Sequence, residues 1–251
     1  MQKSTFEYLV YAWILLGILT FIFLILKKVR APYGRHSNER WGPTMDNKWG
    51  WFWMELPALV LMPFLASTGP QAPNTYVWVL IALWVIHYFN RVLVFPFRLR
   101  TEGKRIPVFI VLSAFAFNVI NGFVNGYYLG HWSTMELSFN EAHLIIGMLV
   151  FLAGMIINHQ SDTILINLRK VNKGYQIPKG GMFEWVSCPN HLGEIIEWVG
   201  FAIVAWNLPA LSFAVWTFCN LVPRTLNHHA WYKERFENYP EKRKAVIPGI
   251  L

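Results

Sequence analysis

A carboxylic acid in the middle of an apolar run is the most consequential residue of this sequence. Glu55 stands in Trp53-Met54-Glu55-Leu56-Pro57, and Trp51–Ser67 holds no other ionisable group. Burial disfavours the charged form of an acid, so Glu55 is expected either to meet a cation or to stay protonated. A neutral carboxylic acid donates a hydrogen bond and can polarise a carbonyl. His87, Tyr88 and Arg91 bring polar groups into a second apolar run. Ionisable residues in such places usually mark function, although His87 and Arg91, one turn apart, also suit a structural pair. Asn118, Asn121 and Asn125 recur at spacings of three and four, which keep to one helical face. Such a stripe either glues helices together or lines a polar site. Glu194 and Glu197 open a further run.

The densest chemistry lies between Asn158 and Glu197. Asn158, Asp162 and Arg169 share one face if the helix carrying them continues beyond its apolar part. That face offers acceptors for ribose hydroxyls and a guanidinium suited to bidentate phosphate contact. Gly180-Gly181 permits a tight loop and close approach of backbone to a ligand. No Gly-x-Gly-x-x-Gly fingerprint is present, and a solvated basic loop would look similar. His191 and His228-His229 lack the Cys/His spacing of a zinc site. They are expected to wall a ligand rather than bind metal.

These residues need elements to hold them. Of 251 residues 55% are hydrophobic and 14% charged, against about a quarter charged in soluble domains. A helix needs roughly 20 apolar residues to cross the hydrocarbon core. Candidate spans are Phe6–Leu26, Trp51–Ser67, Tyr76–Phe97, Ile106–Leu129 and His143–Ile157. The run Leu192–Leu221 is too long for one upright span, and Asn207-Leu208-Pro209 divides it into two. Phe6–Leu26 precedes Lys27-Lys28 rather than a small-residue cleavage site, so it is expected to be an uncleaved anchor.

Charge placement tests the count of seven. Lys27–Lys48 holds six basic residues, Arg98–Arg105 four, Arg169–Lys179 four, and the tail from Arg224 six. The intervening connections Thr68–Asn74, Gly130–Glu141 and Asn207–Pro209 hold none. Basic loops collect on the cytoplasmic side, so the N-terminus is expected outside and the C-terminus in the cytoplasm. The net charge of +8 is then a topology signal, and nucleic acid is not an expected partner. Cys188 and Cys219 make no disulfide scaffold. The expectation is one all-α domain over residues 1–251, embedded in membrane lipid. Thirteen Trp, ten Tyr and nineteen Phe offer flat walls for a flat apolar ligand, or simply interfacial belts and packing.

Several blocks, in order, resemble the steroid 5α-reductase family, the 3-oxo-5α-steroid 4-dehydrogenases. They are Tyr33-Gly34-Arg35-His36, Glu55-Leu56-Pro57, His87-Tyr88-Phe89-x-Arg91, Asn125-Gly126-Tyr127-Tyr128 and Gly180-Gly181-Met182-Phe183. Further along come Leu192-Gly193-Glu194-Ile195-Ile196-Glu197-Trp198, Asn227-His228-His229-Ala230-Trp231-Tyr232 and Tyr239-Pro240-x-x-Arg243-Lys244-Ala245-x-Ile247-Pro248. The resemblance implies a seven-helix membrane fold, with NADPH entering from the cytoplasm and an apolar enone such as a steroid entering from the bilayer. It implies that Glu55 and Tyr88 hydrogen-bond the 3-keto oxygen. It places nucleotide binding on Asn158, Asp162, Arg169, Tyr175, Asn190, Glu194, Arg224, His228 and Tyr232, within about 158–251. The membrane implied is the endoplasmic reticulum or a bacterial inner membrane.

The chain departs from the familiar animal enzymes at four positions. Met54 replaces a Gln, Gln176 an Arg, Asn227 a His and Ile166 an Arg. The loop Arg98–Arg105 differs in length, so no residue is carried across it. Three other readings share parts of this pattern: a sterol-ring reductase, an isoprenylcysteine-type methyltransferase, and a non-enzymatic sterol or lipid carrier. Glu55-Leu56-Pro57 and His87-Tyr88-Phe89 argue against the methyltransferase. The absence of paired half-repeats argues against a transporter.

Overall fold

The structure is a computed structural model, and it describes residues 1–29, 41–99, 103–138, 141–171 and 174–251. The Tyr33-Gly34-Arg35-His36 block lies outside them. The described chain is helical almost throughout: α1 (Lys3–Lys27), α2 (Asn47–Thr68), α3 (Thr75–Phe89), α4 (Phe95–Arg98), α5 (Val108–Trp132), α6 (Ala142–Val171), α7 (Pro189–Ala205) and α8 (Leu208–Arg235). A π-helical turn, Asn90–Val94, joins α3 to α4, and a 3₁₀ turn covers Gly181–Glu184. Two three-residue strands, β1 (Thr44–Asp46) and β2 (Arg105–Pro107), pair antiparallel.

Among the described residues five helical stretches are long and apolar enough to cross a membrane: Lys3–Lys27, Asn47–Thr68, Thr75–Arg98, Val108–Trp132 and Ala142–Lys170. Along α1, Leu9, Leu19 and Phe23 are each more than half exposed. Contiguous apolar surface of this kind belongs against lipid rather than water. The chain is a polytopic, helical membrane protein. The last apolar run is divided as expected: α7 has 17 residues and α8 has 28. Trp206 closes α7 in the left-handed region (φ 41°), and Asn207 caps α8 by accepting from the Ala210 N–H. Pro209 sits in the first turn of α8, where its missing N–H has no intrahelical partner to lose. Proline does not break helices elsewhere here, since Pro57 and Pro63 lie inside α2 and Pro223 inside α8.

The chain packs as two compact units, residues 1–6 with 31–141, and residues 7–30 with 142–251. In the first unit α2 and α5 run side by side in the same direction. Met54, Ala58, Met62 and Ala66 recur every fourth residue on the buried face of α2. Asn118, Gly122, Gly126 and Gly130 do the same on α5. A Cβ on Gly126 would lie 2.6 Å from the Met62 carbonyl oxygen, so only glycine admits this approach. The β1–β2 pair aligns Asp46 with Arg105 and so joins the two basic connections of this unit at one end. At the other end Gln71 N–H donates to Gly130 O, and Asn74 Nδ2 donates to Met135 O. The two connections without Lys or Arg therefore meet there.

In the second unit α6 and α7 pack through Gly147, Gly154, Gly193 and Gly200, whose added Cβ atoms would all meet backbone of the facing helix. The C-terminal segment returns to the start of α7, where Val186 and Lys244 form a parallel bridge. Val186, Leu192, Val222 and Val246 bury a small apolar cluster beneath it.

Candidate functional site

Unit one holds a compact polar centre in apolar surroundings. Asn118, 4% exposed, reaches from α5 toward α2. Its Nδ2 donates to the Met54 carbonyl (2.7 Å) and to Glu55 Oε2 (3.0 Å). Its Oδ1 accepts from the Tyr88 hydroxyl at 3.4 Å. Glu55 and Tyr88, 33 residues apart in sequence, are therefore gathered on one amide. Tyr88 is buried and leans on Trp84 (5.1 Å between centroids), whose indole N–H donates to the Ala58 carbonyl. The Met54 side chain is buried with Ile106 and Val111.

His87 and Arg91 are both buried. The Arg91 guanidinium lies over the rings of Trp51 (4.9 Å) and Phe95 (4.7 Å), a cation–π arrangement. Arg91 belongs to the π-helical turn, a local widening frequent at functional sites. The asparagine stripe divides in two. Asn121 and Asn125 each donate to a carbonyl four residues back on their own helix, while Asn118 reaches across.

Unit two contains the residues expected from the resemblance to bind a nucleotide. The face expected to carry Asn158, Asp162 and Arg169 is present, because α6 runs on to Val171. Asn158 is buried and its Nδ2 donates to the Asn190 carbonyl of α7 at 2.9 Å. Gly193 makes this possible, since a Cβ there would lie 2.5 Å from the Asn158 backbone nitrogen. Glu194 follows Asn190 by one turn of α7 and is half-buried. Arg224, His228 and Tyr232 recur every fourth residue on α8, with Tyr232 buried. His228 lies beside His191 (5.8 Å between rings), whose Nδ1 is 2.7 Å from Thr225 Oγ1. Tyr175 packs edge-on against Trp231 at 5.1 Å. Arg169 stands in the last turn of α6, half-buried. An open surface depression on α6 is lined by Met155, Ile156, His159, Gln160, Thr163 and Ile164 and includes neither Asn158 nor Asp162.

By residue type alone, guanidiniums suit phosphates and carboxylates accept from ribose hydroxyls, so the chemistry of these side chains matches a phosphorylated dinucleotide. Gly180 (φ 88°) has open space where a side chain would stand, and its N–H is held by Glu184 Oε1 at 2.6 Å.

One cluster was not assigned from sequence. The Ser187 hydroxyl, 3% exposed, lies 2.6 Å from His229 Nδ1, 2.6 Å from the Tyr239 hydroxyl and 3.0 Å from the Lys244 carbonyl. Burial lowers the His229 pKa below its usual 6.5, helped by the cations Lys233, Arg243 and Lys244. Burial raises that of Tyr239 above 10.0, against the opposing pull of its Ser187 and Arg243 hydrogen bonds. Arg243 is 2% exposed, stacks over the Tyr239 ring at 5.2 Å and donates to the Pro178 carbonyl. The blocks around His229 and Tyr239 were visible as motifs, but nothing in their spacing pointed to Ser187.

Residues 104–251 match the family model described as 3-oxo-5-alpha-steroid 4-dehydrogenase. The chain is 41% identical to the steroid 5-alpha-reductase DET2 of Arabidopsis thaliana, across 99% of this chain and 98% of that one. It is 38% identical to 3-oxo-5-alpha-steroid 4-dehydrogenase 1 of Bos taurus, across 100% and 98%. With the Homo sapiens protein of the same name it shares 36% across 92% and 90%. Likeness of this degree over nearly the full length leaves one conclusion: the chain belongs to the steroid 5α-reductase family, the 3-oxo-5α-steroid 4-dehydrogenases.

Proposed function

We propose that this chain is an oxidoreductase that reduces the C4–C5 double bond of a 3-oxo-4-ene steroid, or a similar apolar enone, with NADPH. The observation that carries the reading is the meeting of Glu55 and Tyr88 on Asn118 inside an apolar unit. The full-length likeness to steroid 5-alpha-reductases supports it.

NADPH, when bound, supplies hydride to C5 of the enone. Negative charge then builds on the C3 oxygen, and it is discharged when C4 takes a proton from the Tyr88 hydroxyl or from water, which completes the reduction. A neutral Glu55 and the Tyr88 hydroxyl donate to that oxygen, each donor lowering the barrier by on the order of 3 kcal/mol. The apolar surroundings strengthen both donors by excluding water. Asp162 and Glu194 accept from ribose hydroxyls, while Arg169 and Arg224 hold phosphates. Asn158, Asn190, Tyr175, His228 and Tyr232 complete the walls. The protein orients and polarises, and the cofactor carries the redox chemistry.

α7 and α8 join the five apolar stretches as sixth and seventh spans, with the N-terminus outside and the C-terminus in the cytoplasm. Gathering of basic connections at one end of the first unit supports that orientation. Residues 1–251 form one reductase domain in an endoplasmic reticulum or bacterial inner membrane, and substrate enters from the bilayer.

Purified protein in detergent, given NADPH and a panel of 3-oxo-4-ene steroids, is expected to yield 5α-dihydro products by mass spectrometry. Glu55→Gln is expected to lose turnover while keeping NADPH binding. Full turnover in that variant would remove Glu55 from the mechanism. Tight S-adenosylmethionine binding without NADPH binding would sink the reductase reading as a whole.

A further inference from the structure

Asn118 is oriented by chemistry rather than by fit alone. The Met54 carbonyl oxygen can only accept, so the amide atom 2.7 Å from it must be Nδ2. That settles the side chain's polarity. Nδ2 also donates to Glu55 Oε2 at 3.0 Å, and Oδ1 is left facing Tyr88. An amide oxygen only accepts, so the Tyr88 hydroxyl must be the donor in that contact.

Two consequences follow for the pair. Oε2 of Glu55, as acceptor from Nδ2, takes the carbonyl-like role, so a proton on this acid belongs on Oε1. The Tyr88 hydroxyl proton points at Asn118 across 3.4 Å, longer than the roughly 2.7–2.8 Å of a strong O–H···O bond. The backbone geometry holds Asn118 firmly in turn. Gly122, Gly126 and Gly130 follow it every fourth residue on α5 and bring that helix against the α2 backbone.

We infer that Asn118 is a positioning residue for the carbonyl-polarising pair, its amide fixing which oxygen of Glu55 carries the proton and where the Tyr88 hydroxyl points. This rests on the proposed roles of Glu55 and Tyr88. A helix-glue role alone would require only a bond such as that to Met54, and an apolar side chain of similar size would serve the packing as well.

The test is Asn118→Leu, which keeps the branched shape and removes the amide, assayed beside Glu55→Gln. Turnover is counted per NADPH-binding molecule, so that a loss of folded protein does not register. For Asn118→Leu, kcat is expected to fall roughly 10- to 100-fold, the scale of misplacing a catalytic group by a fraction of an ångström, with the NADPH Kd unchanged. Unchanged kcat per binding site in Asn118→Leu, with Glu55→Gln inactive, overturns the inference and leaves the proposed function standing. Full activity in Glu55→Gln removes the foundation of both. Asn118→Asp decides the matter if Asn118→Leu does not accumulate. The new carboxyl can donate only while protonated, so its turnover relative to the unaltered protein is expected to rise as pH is lowered. A ratio that does not change with pH counts against the inference.

Discussion

Gly193→Ala is expected to weaken NADPH binding by a contact that involves no cofactor atom. A Cβ at this position would lie 2.5 Å from the Asn158 nitrogen, 2.7 Å from the Gly154 oxygen and 2.9 Å from the Asn158 Cα. All three are backbone atoms, so no side chain can swing aside. Ordinary contact begins at 3.4 Å, so α6 must retreat by about 0.9 Å at Asn158. The Asn158–Asn190 hydrogen bond is now 2.9 Å. The same retreat stretches it to about 3.8 Å, beyond useful hydrogen-bond length. Overpacking of this kind costs about 1–3 kcal/mol, and the lost bond about 1 kcal/mol more. Thermal unfolding in detergent should show a fall of several degrees, and fluorescence titration should show the NADPH Kd rising roughly tenfold, the equivalent of about 1.4 kcal/mol. Val199→Ala, on the exposed side of the same helix, is the control and should move neither quantity. A Gly193→Ala protein with unaltered melting temperature and unaltered Kd would refute the reasoning, because it would mean α6 and α7 are not held at backbone contact.

Ser187→Ala leaves His229 and Tyr239 without their shared partner, and both lie 2.6 Å from it at present. Destabilisation of about 2–4 kcal/mol is expected from two partly buried groups losing a bond, measured as a fall in melting temperature. His229 also gives a pH signature. Its folded pKa lies below the unfolded 6.5, so between those two values the unfolded chain binds more protons. Stability from this group is therefore complete above pH 6.5 and is lost as pH falls through the folded pKa. Melting temperature plotted against pH should fall less steeply below 6.5 in His229→Gln than in the unaltered protein. Equal slopes would exclude His229 as the source.

Much of the fold was legible because membrane helices must satisfy every backbone group internally. A long apolar run therefore has one available structure, and α1, α2, α5 and α6 begin within a few residues of their expected starts. The division at Asn207 was readable because an Asn cap followed by Pro is a helix-start signal. What apolar counting missed was polar helix. α6 and α8 extend 14 residues past their apolar limits at Ile157 and Leu221, to Val171 and Arg235. The β1–β2 pairing was invisible for another reason: it joins segments 61 residues apart, and its strands have three residues each.

Glu55 announced itself because its charge contradicts its surroundings, a conflict one residue wide that any reader of the sequence meets. Tyr88 carried no such conflict and was identified through the family blocks. Asn118 looked the same as Asn121 and Asn125, since all three share one face and one chemistry. Only tertiary packing separates them: the glycine face of α5 brings Asn118 within 2.7 Å of the Met54 carbonyl, while its two neighbours bond back to their own helix. Ser187 likewise gains its partners from chain that returns 42 to 57 residues later. By itself the sequence determined the membrane class, the helices and the family, because hydrophobic length, charge placement and ordered motifs are local or cumulative properties. The tertiary structure alone decided which amide joins the acid to the phenol and which hydroxyl joins the histidine to the tyrosine, because a hydrogen bond depends on tenths of an ångström between residues that sequence leaves far apart.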